Sequence, residues 1–439
     1  MVHELIALGG FISLLLIIGS NDRKIGDIDC PTCKELNAGD DFDGTNVKTK
    51  DMVRKKEAFQ IVESLKNRKK YMSSVFNLPP IEAKTVYSYE AANQTHADVK
   101  LINSTFLNLF AYQRNSAFDL QCKKKVRKAI IHAFHKFGLL TKVQKFPFVQ
   151  YKNGSFVETN AENLIGILPS ERYKQLNDKI LVIGAHYDTV YLNPGVDDNG
   201  SGSIAVLECA RVLSRYNGKL DATVYFVLFD EEETGLHGSI AFVDEYLIPK
   251  VLDKTNSTFV GAYIADMILS YDDTPFSFDI PDDMYQFTPE AVEIIKNNSN
   301  RGDFIAVEAR EADRLLWQTL QETWSELPSQ EYKLIVFNTS IPSNYWKMSL
   351  EEKYSYFVMS DHAPFWQCAK KYPKIDTLPA VLLTDEGEYR GYQRNCYHKP
   401  CDNKVQLNEK NLHFMAKVVN AIIQSTLKIA MNENLINLN

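Results

Sequence analysis

The chain has 439 residues, 45% hydrophobic and 24% charged, and 56 acidic against 49 basic side chains leave a net charge of −7. That length can bury a large core, as one big α/β domain or two smaller ones, and the acidic balance excludes a basic field for nucleic acid or another polyanion. The basic clusters Arg54–Lys56 and Lys123–Lys125 fall in amphipathic helical patterns and are read as solvated helix faces.

Leu5 to Ile18 is an uninterrupted run of apolar and small residues, followed by polar "SNDRKIGD". Its length suits the apolar region of a signal peptide better than a bilayer span, so residues 1–20 are assigned as a signal peptide or a retained signal anchor. The anchor is the one membrane contact expected. Asn-X-Ser/Thr sequons at Asn93, Asn103, Asn153, Asn256, Asn297 and Asn338 favour a secreted or lumenal, N-glycosylated protein. A further sequon at Asn199 lies inside an acidic stretch and is expected to stay unmodified. Residues 21–85 comprise a polar, Asp-rich leader and a helix with Ala58, Ile61, Val62 and Leu65 on one face, ending before Pro79-Pro80.

Seven cysteines leave at least one unpaired in a monomer. Cys396 and Cys401, close together in a polar loop, are the best disulfide candidates. Cys209, in a helical pattern, is read as a small buried hydrophobe, and Cys30 and Cys33 as structural or exposed.

A second helix directs Val126, Ala129, Ile130, Ala133 and Phe137 toward the core and stops at Gly138. Two strand-like runs follow, "TKVQKFPFVQ" and "SFVETNAENLIGILP", joined by a turn at Lys152-Asn153-Gly154. Ile180–Ala185, Thr223–Phe229 and Phe259–Ala265 are too continuously apolar to alternate, which predicts strands covered on both faces of a parallel or mixed sheet. Between the first two, Val206, Leu207, Ala210 and Leu213 are helically spaced and complete a βαβ unit.

Each of these three runs ends in potential metal ligands: His186 and Asp188, then Glu231-Glu232-Glu233, then Asp266. A fourth apolar run, Pro379–Leu383, precedes the segment that carries His398. In open α/β sheets, sites form beyond the carboxyl ends of the strands. Two imidazoles and several carboxylates without thiolates suit two divalent ions, Zn²⁺ or, as substitutes, Mn²⁺ or Co²⁺.

"HYDTV", "PGVDDNGSG", "FDEEETGLHGS", "YIADM" and "NCYHKPCD", in this order, resemble the M28 family of zinc peptidases, the dizinc aminopeptidases and their glutamate carboxypeptidase relatives. The resemblance covers about residues 160–429 and makes residues 86–439 a zinc peptidase domain. It implies an α/β fold, a mixed, mostly parallel twisted sheet with helices on both faces, as in zinc aminopeptidases and the phosphorylase/hydrolase-like α/β/α sandwich. By the same resemblance His186 and Asp266 hold one zinc, Glu233 and His398 the other, and Asp198 bridges them, with Asp197 as the competing bridge. It further implies a non-proline cis bond from Asp198 to Asn199. Asp188 is read as orienting His186, Glu232 as general base and Glu231 as structural. His362, in "SDHAPFW", is assigned to substrate binding or lining.

The expected activity is hydrolysis of peptides at a chain end, most simply by an aminopeptidase. Arg390, Arg394 and Lys399 near His398 keep a carboxypeptidase or dipeptidase open, because a terminal carboxylate needs a cation. A glutaminyl-cyclase-like enzyme and an inactive binding ectodomain are the other readings. Oligomeric state does not follow from these residues.

Overall fold

The computed structural model describes residues 95–117, 120–152, 155–344 and 352–431. The expectations for the N-terminal apolar segment, the leader and its helix, Arg54–Lys56, Cys30 and Cys33, and the sequons at Asn93 and Asn153 lie outside the described residues.

Strands β1 (Leu140–Lys152), β2 (Ser155–Leu168), β3 (Lys179–His186), β4 (Ala222–Phe229), β5 (Thr258–Ala265), β6 (Phe304–Arg310), β7 (Lys333–Thr339) and β8 (Ala380–Thr384) form one sheet. Their spatial order is β1-β2-β4-β3-β5-β8-β6-β7. The middle of the sheet, β4-β3-β5-β8, is parallel, whereas β2 runs antiparallel to β4 and β6 antiparallel to β8. The result is the expected α/β fold with a mixed sheet. All eight residues of β4 are buried, which explains why its sequence does not alternate.

Register brings Val182 of β3 beside Tyr225 of β4 and Ala262 of β5. Together with Ile180, Val227, Phe229 and Ile264 they pack under α4 (His237–Phe242), its continuation to Leu252, and Phe365 and Trp366. On β3, β4 and β5 also packs α3 (Gly202–Leu213), itself covered by α2 (Leu120–Lys136) and α7 (Glu409–Ala430). Covered by these neighbours, α3 is buried along its whole length, and its Glu208 pairs with Arg211 at 2.8 Å.

Helix α2 ends as expected at Gly138, whose φ of +75° is the left-handed conformation that suits glycine. Phe134, not Phe137, is its fully buried aromatic. One expectation is overturned here: Lys123 is not solvated but 0% exposed. Its Nζ lies 2.5 Å from Asp230 Oδ1 and 2.7 Å from Glu231 Oε1, because α2 packs beside the end of β4.

Between 271 and 346, where the sequence suggested no elements, lie β6, β7 and the helices α5 (Pro289–Asn297) and α6 (Arg314–Glu326). They extend the sheet beyond β8 and bring Glu308 of β6 opposite Leu382. Cys396 and Cys401 form a disulfide in the loop that carries His398.

Candidate metal centre and its cleft

β3 stops at His186, whose carbonyl accepts from Ser203 Oγ at 2.8 Å on the first turn of α3. Two residues on, Asp188 faces His186 Nδ1 at 3.4 Å and accepts from the backbone N–H groups of Glu232 (3.1 Å) and Glu233 (3.3 Å). One carboxylate thus faces the imidazole and ties the ends of β3 and β4 together. His186 Nε2 faces Asp266 Oδ1 at 3.2 Å, Asp198 Oδ1 at 3.6 Å and Glu232 Oε2 at 3.9 Å. Ligand atoms of His186, Glu232 and Asp266 lie mutually within 4.8 Å, as do those of His186, Asp198 and Glu233.

Asp198 stands between the two imidazoles, its Oδ1 toward His186 and its Oδ2 3.2 Å from His398 Nε2, which is 3.4 Å from Glu233 Oε2. Asp197 turns away: it accepts from Ser201 Oγ, Leu269 N and Gln393 Nε2 at 3.1–3.2 Å.

The turn bearing Asp198 is held from several directions. Asp402 accepts from Asp197 N (2.9 Å) and Asp198 N (3.1 Å), and Arg114 donates to the carbonyls of Pro194 and Gly195. Gly195 has φ +60°, and a Cβ there would stand 2.1 Å from the Asp198 carbonyl oxygen. The Asp198–Asn199 peptide bond is cis. Asn199 is fully buried, its amide donating to Ala265 O and accepting from Gly202 N. Arg114, Lys123 and Asp402 were missed in the sequence because the partners that tie them to this centre, Pro194, Glu231 and Asp197, lie 80 to 205 positions away.

The cluster is electrostatically loaded. Burial pushes the Glu232 carboxyl well above its usual range against the pull of His186, with Asp361 and Asp266 adding to the rise. Burial likewise raises Glu233, reinforced by Asp198 and Glu232. For His186, burial alone would lower the pKa, but Asp266 and Glu232 outweigh it and leave it well above the usual value. His398 is raised too, with Asp198 overcoming burial. A concentration of acids this dense calls for positive charge.

A cleft of about 330 Å³ opens over this centre, lined by Asp198, Glu232, Glu233, Asp266 and His398 together with Glu308, Glu386, Glu388, two hydroxyl residues and apolar and aromatic side chains. Among the described residues no arginine or lysine lines it. Arg390 is buried and donates to the carbonyls of Ser270 and Phe304. Arg394 pairs with Asp279 at 3.0 Å and donates to Phe276 O. His362 also stays out of the lining: its Nε2 bonds Phe357 O at 2.9 Å and its ring meets Trp366 edge-on at 4.6 Å. Burial lowers its pKa to about 4, so it is a neutral packing residue.

The model of Peptidase family M28 matches residues 163–423, more than half of the chain. The chain belongs to this family. The matched stretch encloses every residue of the metal centre from His186 to His398, whereas the supporting Arg114 and Lys123 precede it. Among relatives of this M28 chain, the uncharacterised protein YfbL of Escherichia coli is 30% identical over 263 residues, 57% of this chain and 67% of that protein. Aminopeptidase YwaD of Bacillus subtilis is 38% identical over 105 residues, which spans 24% of this chain and only 22% of that relative's length. In three dimensions the M28 chain is similar to BSAP, a zinc aminopeptidase from Bacillus subtilis, with a TM-score of 0.52 at 16% identity, covering 78% of this chain and 97% of that one. An aminopeptidase from Aneurinibacillus sp. strain AM-1 gives 0.51 at 15%, covering 78% and 95%. At these identities the shared property is the fold.

Proposed function

We propose that the chain is a metal-dependent aminopeptidase with a two-ion centre. The observation that carries the exopeptidase direction is the lining of the cleft: carboxylates surround the reaction centre and no described cation is present to hold a terminal carboxylate. Such a lining suits a free α-amine. The aminopeptidases among its sequence relatives and the zinc aminopeptidase that shares its fold support the same reading.

The donor set fits two divalent ions. It offers imidazole nitrogens and carboxylate oxygens without thiolates, and the two oxygens of Asp198 face His186 at 3.6 Å and His398 at 3.2 Å. His186 and Asp266 would hold one ion, Glu233 and His398 the other, and Asp198 both. Bound zinc supplies Lewis acidity toward the scissile carbonyl and acidifies water. The rest falls to the protein. Glu232 takes the proton of the attacking water on its carboxylate and delivers it to the leaving amine, while Asp188 holds His186 in place through Nδ1.

The test uses short peptides blocked at one end only, with a chelated control and metal content measured per chain. Chelator-sensitive cleavage confined to peptides with a free N-terminus is expected, with two ions bound. Cleavage confined to peptides with a free C-terminus would overturn the direction. Glu232→Gln is expected to keep its metal and lose activity by about 10²- to 10⁴-fold.

We also propose passage through the secretory route, supported by the apolar N-terminal run and by exposed sequons at Asn256, Asn297 and Asn338. Endoglycosidase treatment of protein made in secretory cells should lower its mass; an unchanged mass refutes glycosylation.

A further inference from the structure

The cleft holds three more acids for which the hydrolytic scheme has no task, Glu308, Glu386 and Glu388, of which Glu388 is exposed and the other two are buried. Glu308 projects from β6 and Glu386 from the turn after β8, and both line the cleft although only 3% and 7% exposed. Glu386 Oε2 accepts from Tyr356 Oη at 2.5 Å, whereas its Oε1 has no hydrogen-bond partner among the described residues. Glu386 also adopts φ +71°, a left-handed conformation uncommon for a residue with a long side chain.

Among the described residues no cationic side chain hydrogen-bonds the carboxylate of Glu308 or Glu386, although burial raises the pKa of Glu386 and Arg390 pulls it down against that burial. His362 Nε2 comes within 3.9 Å of Glu308 Oε2 but is committed to Phe357 O, and the ring is neutral. The Arg390 guanidinium lies behind the cleft, stacked over Phe304 and donating to backbone carbonyls. Buried carboxylates without a partner are costly, and the cost is offset when a ligand brings positive charge. Met267, Met359 and Leu382 also line the cleft and are available to flank a methylene stem.

We propose that Glu308 and Glu386 form a recognition site for a cationic side chain, so that the preferred substrates are peptides beginning with lysine or arginine. This rests on the aminopeptidase reading, because the recognised residue is the one whose α-amine is free. Tyr356 positions Glu386 and leaves Oε1 for the incoming ammonium or guanidinium.

Two measurements on the full zinc-loaded protein separate the pocket from the activity. The first compares kcat/KM for lysyl, arginyl, norleucyl and glutamyl fluorogenic amides, norleucine being lysine with a hydrogen in place of the ammonium. Lysyl and arginyl substrates are expected to exceed norleucyl by on the order of 10- to 100-fold, the range of a charged hydrogen bond. In the Glu308→Gln/Glu386→Gln double variant, with metal content and Tm checked, the lysyl-to-norleucyl ratio should fall to about one. A ratio near or below one in the wild type, or one unchanged in the variant, overturns the proposal.

The second measures binding of L-lysinamide and L-norleucinamide by calorimetry. Tighter lysinamide binding that disappears in the double variant supports the pocket even if no peptide is cleaved, in which case the aminopeptidase reading alone fails. Equal binding of the two amides overturns the pocket whatever the activity.

Discussion

Asp188 touches neither substrate nor metal in the proposed scheme, yet it holds both the ring of His186 and the backbone of Glu232 and Glu233. Asp188→Asn preserves shape but not charge, so metal affinity should fall about 10- to 100-fold, as for other partners of ligating histidines. Competition with a chelator measures it, and an unchanged affinity would remove Asp188 from the orienting role. Lys123 acts on stability instead. Burial pushes its ammonium down, but Asp230 and Glu231 more than compensate and leave the pKa raised. A raised lysine stabilises the fold fully below its ordinary value near 10.5, and that stabilisation is lost as pH climbs through the higher folded value. Lys123→Met should therefore cost about 3–5 kcal/mol, by leaving buried acids short of a partner. In denaturant unfolding the deficit should be constant from pH 7 to 9 and shrink above about 10.5. The cluster of candidate ligands was legible because short motifs end apolar runs; Lys123 was not, because nothing in "CKKKVRK" distinguishes the one lysine that meets Asp230.

The same contrast holds among elements. β3, β4, β5 and β8 could be read directly, since strands covered on both faces become continuous apolar runs. β6 could not, because "FIAVEAR" buries an acid that faces the cleft and an arginine satisfied by Asp313 at 2.9 Å, so its pattern imitates a polar break. Neighbouring β7 is only partly covered and gives a weak signal. The turn from Gly195 to Gly202 shows how an element depends on distant chain. Asp402→Ala would leave the N–H groups of Asp197 and Asp198 without acceptors, at about 1–3 kcal/mol for each. Chemical denaturation should show that loss together with weaker metal binding; full stability would mean that the turn holds itself.

For the molecule as a whole, the proposed centre should couple metal binding to the fold, because its residues join the ends of β3, β4 and β5 to the His398 loop. Zinc at 100 times its dissociation constant should raise stability by about 2.7 kcal/mol, read as a Tm increase that chelation reverses. The pH dependence follows from the histidines. Both are raised above the usual 6.5 without metal, so protons compete for them early, and the zinc-induced increase should decline with falling pH from above 6.5. A Tm increase unchanged down to pH 5 would contradict this assignment of ligands.

The link from Asp402 back to Asp197 and Asp198 also governs biogenesis. A ribosome delivers His186 more than 200 residues before it delivers His398 and Asp402. Between those two points the nascent chain carries part of the proposed ligand set, and the carboxylate of Asp198 has not yet been locked in place. Completion of the proposed two-ion centre is consequently a late event, and a chain truncated before residue 398 should retain less zinc than the full chain.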